Sequence, residues 1–150
     1  MIHAECQPQI ARDAVLKLTS THEMLRTCLR ELEIETAKDV PDMASLAKVR
    51  LRLAQTSRIR SGLADAVFGL QSRSAMGAEL ACLMDLRGTT QHVRAASTAH
   101  IARWTPQAIT ADWDGYRTAS QEMRASMQSQ IVREARLLRQ GREQGGSVHG

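Results

Sequence analysis

The chain has 150 residues, enough for one domain with a hydrophobic core of its own, and its net charge at pH 7 is a modest +4. Aromatic residues make up only 3% of the sequence, and no alternating run of β-branched residues marks a strand. Ala, Leu, Arg, Met, Gln and Glu dominate, so the composition excludes a β-rich fold and predicts an all-α one.

The cysteines and the N-terminal residues bear on the compartment in which the protein works. Cys6, Cys28 and Cys82 are odd in number and form no C-x-x-C motif, which is typical of a reducing compartment. The N-terminal sequence has neither the basic nor the apolar segment of a signal peptide, and no apolar run approaches the roughly 18 residues that span a bilayer. We therefore expect a cytoplasmic protein without a membrane segment.

Residues 1–10 are predicted to form a short N-terminal arm, and the first helix follows it. This helix runs from about Ala11 to about Thr36, because apolar residues recur at spacings of three and four. The stripe that faces the interior consists of Val15, Leu18, His22, Leu25, Leu29 and Leu32. On this stripe His22 is either a hydrogen-bonded core residue or a ligand.

Pro41 predicts a break, since proline disfavours a helical conformation at the residue before it, and Asp39 or Asp42 is expected to cap the second helix. This helix is predicted to end at about Leu70. Its inward stripe consists of Leu46, Val49, Leu53, Thr56, Arg60, Leu63, Val67 and Leu70. Arg60 either buries its stem and reaches an end of the bundle or pairs with an interior acid such as Glu134.

Ser72 or Ser74 is expected to cap the third helix, which is predicted from about Ala75 to about Trp104. Its stripe consists of Met76, Leu80, Leu83, Leu86, Thr90, Val93, Ser97, His100 and Trp104. Small residues that predict tight packing lie near its end, namely Ala95, Ala96, Ser97 and Ala99. His100 either stacks on an aromatic ring or acts as a ligand.

Thr105 as N-cap and Pro106 at the first helical position predict the start of the fourth helix, which continues to about Arg139. Its stripe consists of Ile109, Trp113, Tyr116, Ser120, Met123, Met127, Gln130, Glu134 and Leu137. The inward carboxylate of Glu134 is costly unless it is paired or binds something. Residues 141–150 are polar and rich in glycine, and they are predicted to be a disordered tail.

Four helices with short links, within residues 11–140, predict an antiparallel up-down-up-down four-helix bundle. Each predicted helix sends a polar residue inward. These residues form a predicted buried polar cluster or ligand-binding site, which consists of His22, Arg60, His100, Gln130 and Glu134. Helical bundles that bind metals build their sites from inward side chains in this way.

Several segments match the motif pattern of a known family of helical bundles. Thr21-His22-Glu23-Met24-Leu25 looks like a D-H-x-x-L motif, and Gln130-Ile131-Val132-Arg133-Glu134-Ala135 looks like H-I-x-x-E-E with glutamine in place of the histidine. The run from Trp104-Thr105-Pro106 to Asp112-Trp113-x-x-Tyr116 is similar to the lead-in of the last helix in some bacterial members. In these features, over roughly residues 12–139, the chain resembles the hemerythrin-like (HHE cation-binding) family of four-helix bundles.

The departures from that pattern concern the metal ligands. The family's second helix carries H-x-x-x-E, which falls here on Arg60 and Ala64, so the resemblance implies that both ligands are lost. Only His22 and Glu134 match ligand positions, with His100 as a third candidate, and Arg60 puts a fixed positive charge where a cation would sit. We therefore expect a decayed metal site without a cofactor. The alternative is an iron-binding protein that uses His22, His100 and Glu134.

Sequence motifs and charge bear on the remaining function classes. No G-x-S-x-G, H-E-x-x-H or glycine-rich phosphate loop is present, so we do not expect an enzyme. We expect an interaction or sensory and regulatory module with a protein partner or a second copy of itself. A second alternative, a weakly basic nucleic-acid-associated protein, rests on Lys48, Arg50, Arg52, Arg58 and Arg60. The absence of aromatic residues among them weighs against nucleic acid.

Overall fold

A computed structural model describes the backbone of residues 3–146 and the side chains of residues 12–140. The helices are α1 (His3–Thr36), α2 (Met43–Ser74), α3 (Ala78–Arg103), α4 (Pro106–Ala111) and α5 (Trp113–Gly146). No strand occurs in the described backbone, so the predicted all-α class is confirmed. None of these helices combines the length and the apolar character that crossing a membrane requires.

The two ends of the chain are more helical than the sequence predicts. Helix α1 begins at His3, so the backbone of most of the predicted N-terminal arm continues the first helix. Helix α5 extends to Gly146, which lies within the predicted tail. Residues 1–2 and 147–150, which complete the predicted arm and tail, lie outside the described residues.

The predicted fourth helix is two helices, because the chain breaks at Asp112. Thr105 caps α4 as predicted, and its hydroxyl accepts a hydrogen bond of 3.2 Å from the backbone N–H of Ala108. Asp112 accepts a bond of 2.9 Å from the N–H of Gly115 and so caps the start of α5. An aspartate that binds nearby backbone donors favours a helix start over helix continuation. The prediction of one continuous helix is therefore wrong at this residue.

The connection between α1 and α2 lies where the sequence predicts it, whereas the connection between α2 and α3 lies further along the chain than predicted. Asp42 caps α2, since its carboxylate accepts a bond of 3.2 Å from the backbone N–H of Ser45. Ser72 and Ser74 do not cap α3, because they lie within the last turn of α2. Gly77 precedes α3 with a φ of 63°, a left-handed conformation that glycine adopts without strain.

Helices α1 and α3 each pack against both α2 and α5, and the short α4 contacts α5. Four hydrogen-bonded residue pairs show the relative direction of neighbouring helices. His22–Glu134 and Thr36–Arg117 join α1 and α5. Asp65–Arg94 joins α2 and α3, and Arg50–Trp104 joins α2 and the residue that follows α3. In both pairs of helices, residues further along one helix contact residues nearer the beginning of the other.

The apolar core consists of two clusters that a layer of polar side chains separates. The first cluster includes Leu25, Leu29, Leu32, Leu46, Val49, Leu53, Trp104, Ile109, Tyr116, Met127 and Ile131. The second includes Leu18, Ala64, Val67, Phe68, Leu83, Leu86 and Leu138. On α1, His22 lies between Leu18 of the second cluster and Leu25 of the first, and on α5 Glu134 lies between Ile131 and Leu138. The inward polar residues therefore share one level of the fold.

Helix α3 packs more loosely than its sequence predicts. Its buried residues are Leu83, Leu86, Thr90 and Val93. Met76, which the predicted stripe includes, is 84% exposed because it precedes the helix. Ala95, Ala96 and Ala99 are exposed, so the predicted tight packing is wrong. Side chains this short do not reach the neighbouring helices, and space remains on both sides of the C-terminal half of α3.

Candidate functional site

Five polar side chains fill the layer between the two apolar clusters, and they are named here the Glu134 cluster. Its members are His22, Arg60, Thr90, Gln130 and Glu134, each of them 3% exposed or less. Helices α1, α2 and α3 contribute one side chain each, and α5 contributes two. Polar groups buried to this extent are costly unless their hydrogen bonds are satisfied within the protein.

Both carboxylate oxygens of Glu134 accept hydrogen bonds within the cluster. Nε2 of His22 donates to Oε1 over 2.9 Å, which requires the imidazole proton to be on Nε2. The guanidinium of Arg60 donates to Oε2, and the amide of Gln130 donates to the same oxygen over 3.0 Å. The Gln130 amide also donates to the hydroxyl of Thr90 over 2.8 Å. One carboxylate therefore links α1, α2 and α5, and Gln130 extends the link to α3.

The ion pair of Arg60 and Glu134 explains how a carboxylate is tolerated at this depth. A buried charge that loses its partner costs several kcal/mol, because no water replaces the missing interaction. The guanidinium is permanently charged and presents several N–H donors in one plane, so it compensates the carboxylate at every physiological pH. His22 adds the third contact as a hydrogen-bond donor to the other carboxylate oxygen.

The structure brings together four of the five site residues that the sequence predicts. Of the two alternatives for Arg60, pairing with Glu134 is the one observed, and His22 is a hydrogen-bonded interior residue. His100 lies elsewhere, and no hydrogen bond among the described side chains joins it to the Glu134 cluster. Its ring centroid lies 5.9 Å from that of Tyr116. His100 therefore follows the aromatic-stacking alternative.

Tyr116 is the centre of an aromatic group near the start of α5, about 21 Å along the helix from Gln130 of the Glu134 cluster. The rings of Trp104 and Trp113 lie 5.6 and 5.8 Å from its ring, and the guanidinium of Arg50 lies 5.7 Å from its centroid. Burial raises the pKa of Tyr116, although the charge of Arg50 opposes this. Burial lowers the pKa of His100, and the positive charge of Arg50 lowers it further.

A cavity of about 360 Å³ lies between α2, α3 and α5 and is named here the main cavity. Its apolar lining includes Leu32, Leu53, Val93, Tyr116, Met123 and Met127. Its cationic and titratable lining consists of Arg50, Arg58, Arg60, Arg94 and His100. Because Arg60 belongs to both the lining and the Glu134 cluster, the cavity is in direct contact with the buried ion pair. Its volume lies within the usual range for small-molecule sites, about 300–1,000 Å³.

A second space of about 240 Å³ lies between α3 and α5. It shares Val93, Ser97, His100, Met123 and Met127 with the main cavity, so the C-terminal half of α3 lies between two adjoining spaces.

The donor set of the Glu134 cluster does not fit an iron centre. Both oxygens of Glu134 already accept hydrogen bonds, and one of the donors is the fixed cation of Arg60. No group of three or more His, Cys, Asp or Glu side chains within the described chain is placed to hold a metal ion. His100, the third ligand of the iron-binding alternative, stacks near Tyr116 instead.

The basic residues of α2 do not form one continuous surface. Arg60 pairs with the buried Glu134, Arg52 pairs with Glu31 over 2.9 Å, and Arg50 donates to the carbonyl of Trp104 over 2.6 Å. Arg60 is therefore buried and Arg52 is ion-paired, whereas Arg50 keeps its positive charge and donates to a backbone carbonyl.

Sequence reasoning missed the main cavity and the roles of Arg50, Arg58 and Arg94 in lining it. A signal for it exists in α2, where small or polar side chains recur at helical spacing beside the aliphatic stripe. These residues are Arg50, Ala54, Ser57 and Ser61, and all of them line the cavity. A row of short side chains next to a buried stripe indicates space that a neighbouring helix must fill or leave open.

Comparison of the chain with protein-family models, with curated proteins and with solved structures finds no match.

Proposed function

We propose that the protein is a non-enzymatic sensory or regulatory module that binds a small molecule in the main cavity. The observation that carries the proposal is the position of this cavity against Arg60, whose guanidinium holds the buried Glu134. A ligand in the cavity contacts a residue on which the polar layer between four helices depends. Occupancy of the cavity and the arrangement of the helices are thereby coupled.

Helix α3 is the element through which binding becomes a signal. Few of its side chains are buried, and its C-terminal half lies between the two spaces. Segments with few buried apolar contacts move at a low cost in free energy. A ligand that fills the main cavity holds α3 against α2 and α5, and a protein partner or a second copy of the chain that contacts α3 reads the change.

The proposal includes a hemerythrin-like arrangement in which α1, α2, α3 and α5 form an antiparallel up-down-up-down bundle. The reversed order of contacts between neighbouring helices supports it, and so does the single polar layer to which all four helices contribute. In this arrangement the pair of Arg60 and Glu134 takes the place of a metal centre. The module then works without iron.

Elemental analysis of the protein, purified without a tag or a chelator, tests the metal-free part of the proposal. The expected iron content is far below one ion per chain, because Arg60 already compensates Glu134. Near-stoichiometric iron would contradict it and would favour the iron-binding alternative.

Titration with the neutral fluorophore N-phenylnaphthylamine tests binding in the main cavity. This probe is uncharged and apolar, so its fluorescence rises when it enters an apolar site. The blocking variant is Ala54→Phe, which adds a ring at a half-buried position of the cavity wall. The matched control is Ala47→Phe, which makes the same change at an exposed position of α2 that does not line the cavity.

We expect saturable binding at one site per chain for the unchanged protein and for Ala47→Phe, and loss of binding for Ala54→Phe. Circular dichroism shows whether each variant retains its helices. Absence of saturable binding, or equal binding by both variants, would contradict the proposed function.

A further inference from the structure

The charges on the lining of the main cavity do not cancel. Four arginines line it, and no Asp or Glu does so among the described residues. Glu134 compensates Arg60, and Asp65 accepts a hydrogen bond of 3.0 Å from Arg94. Arg50 and Arg58 form no ion pair with any described residue. Two positive charges on the lining are therefore left without an acidic partner among the side chains of residues 12–140.

Arg50 and Arg58 differ in how they are held. Arg50 is half-buried and donates from Nη2 to the carbonyl of Trp104, a contact that fixes the side chain without neutralising its charge. Arg58 is exposed. The rigid planar guanidinium of each offers further N–H donors, which match the geometry of carboxylate, sulfonate and phosphate oxygens.

The rest of the lining is mainly apolar. Leu53, Val93, Met123 and Met127 come from α2, α3 and α5 and enclose a volume suited to the apolar body of a small molecule. Methionine side chains are flexible and adapt to different apolar groups, so this part of the lining can accommodate ligands of different shapes. The mainly apolar lining favours a ligand with an apolar body. The two arginines without a described acidic partner favour a ligand that also carries an anionic group.

We infer that the main cavity binds an amphipathic organic anion, whose apolar body lies against Leu53, Val93 and Met127 and whose anionic group is attracted by the positive charges of Arg50 and Arg58. This inference rests on the proposed function and adds the chemical class of the ligand.

Two fluorophores with the same apolar body test the inference. N-phenylnaphthylamine is neutral, and anilinonaphthalene sulfonate carries one sulfonate on the same framework. The measured quantity is the ratio of their two dissociation constants, which isolates the contribution of the negative charge. The test variant is Arg58→Gln, and the control is Lys48→Gln, which removes one positive charge from an exposed position of α2 outside the cavity.

The preference for the sulfonate is expected to fall about fivefold in Arg58→Gln, the factor that corresponds to one partly exposed ion pair. It should fall by more than tenfold in the double variant Arg50→Gln/Arg58→Gln. Lys48→Gln should leave the ratio within about twofold of the unchanged protein, and added salt should reduce the preference. Because Arg58 is exposed and makes no ion pair with a described residue, its variant keeps the fold even where Arg50→Gln does not.

The outcomes separate this inference from the proposed function. If the neutral probe does not bind the unchanged protein, the proposed function is wrong. If the neutral probe binds and Arg58→Gln leaves the ratio unchanged, the cavity remains a binding site but the anionic class is overturned. An equal loss of preference in Lys48→Gln would also overturn it, because net charge alone would then account for the preference.

Discussion

Arg60 on α2 and Glu134 on α5 form an ion pair inside the protein, where their residues are 2% and 0% exposed. The pair is the centre of the polar layer, since His22 and Gln130 bind the same carboxylate. The pair fixes the position of α2 relative to α5. Contacts between aliphatic side chains alone would allow one helix to slide along the other. The main cavity is in contact with it through Arg60.

Removing one member of this pair should be strongly destabilising. In Arg60→Leu, Glu134 keeps its burial but loses its charge compensation, so the free energy of unfolding should fall by about 3–5 kcal/mol. The double variant Arg60→Leu/Glu134→Gln should recover part of this loss, because the amide needs no counter-charge. Urea denaturation followed by circular dichroism measures both.

The exposed pair of Arg52 and Glu31 provides the control. Arg52→Leu should change the free energy of unfolding by about 1 kcal/mol or less, as is usual for a solvated ion pair. Equal effects of Arg60→Leu and Arg52→Leu would show that the buried pair contributes no more than a surface contact.

His22 should matter through its hydrogen bond to Glu134 and not through its charge. In His22→Leu, Oε1 of Glu134 loses its donor in a buried position, so we expect a loss of about 1–3 kcal/mol in the free energy of unfolding. His92→Leu makes the same change at an exposed site of α3 and should cost about 0.5 kcal/mol or less. Indistinguishable unfolding curves for the two variants would contradict this role of His22.

Helical periodicity was sufficient to predict the fold class and most of the polar layer. The stripes place His22, Arg60 and Glu134 on inward faces, but periodicity left open whether Arg60 pairs with Glu134 or reaches an end of the bundle. The helix break at Asp112 was missed because its cause is one side chain that caps a backbone N–H. Such local hydrogen bonds do not alter the spacing of apolar residues.

The position of His100 and the main cavity could not be predicted in the same way. A stripe indicates which face of α3 is inward, but not how far the helix lies from its neighbours. The short side chains of Ala96 and Ser97 fit either close packing or an open space, and only the relative placement of α2 and α5 decides between them. That placement depends on larger side chains elsewhere, such as Tyr116.

Stability should depend on pH through His100. Its pKa is lowered below 6.5 in the folded state, first by burial and then by Arg50, so the fold favours the neutral imidazole. This contribution to stability is present above pH 6.5 and is lost as the pH falls through the lowered pKa. His100→Gln should therefore reduce the dependence of the free energy of unfolding on pH in this window.

Glu35 acts in a separate range. A hydrogen bond from Lys38 lowers the pKa of Glu35, so its contribution is lost only as the pH falls below 4.5. For each protein the free energy of unfolding is plotted against pH. If the plots of the unchanged protein and of His100→Gln stay parallel between pH 6.5 and pH 4.5, the role of His100 is contradicted.

Gly77, which precedes α3, and Gly88, which lies within it, should respond in opposite directions to the same substitution. Gly88 lies within the helix, and a Cβ atom there meets no atom within 4 Å, so Gly88→Ala should stabilise the protein by about 0.5–1 kcal/mol. A Cβ at Gly77 also has open space, but its φ of 63° strains alanine. Gly77→Ala should therefore lower the melting temperature, whereas Gly88→Ala should raise it. A gain in both variants would show that the turn adopts another conformation.

The most direct test of ligand binding in the main cavity is NMR of the protein with isotopically labelled methionine methyl groups, titrated with N-phenylnaphthylamine. Met123 and Met127 line the cavity, whereas Met24 and Met76 are exposed outside it and serve as internal controls. The account predicts saturable shifts at Met123 and Met127 with little change at Met24 and Met76. Saturable shifts confined to Met24 or Met76, or no shift at Met123 and Met127 when the probe is bound, would contradict it.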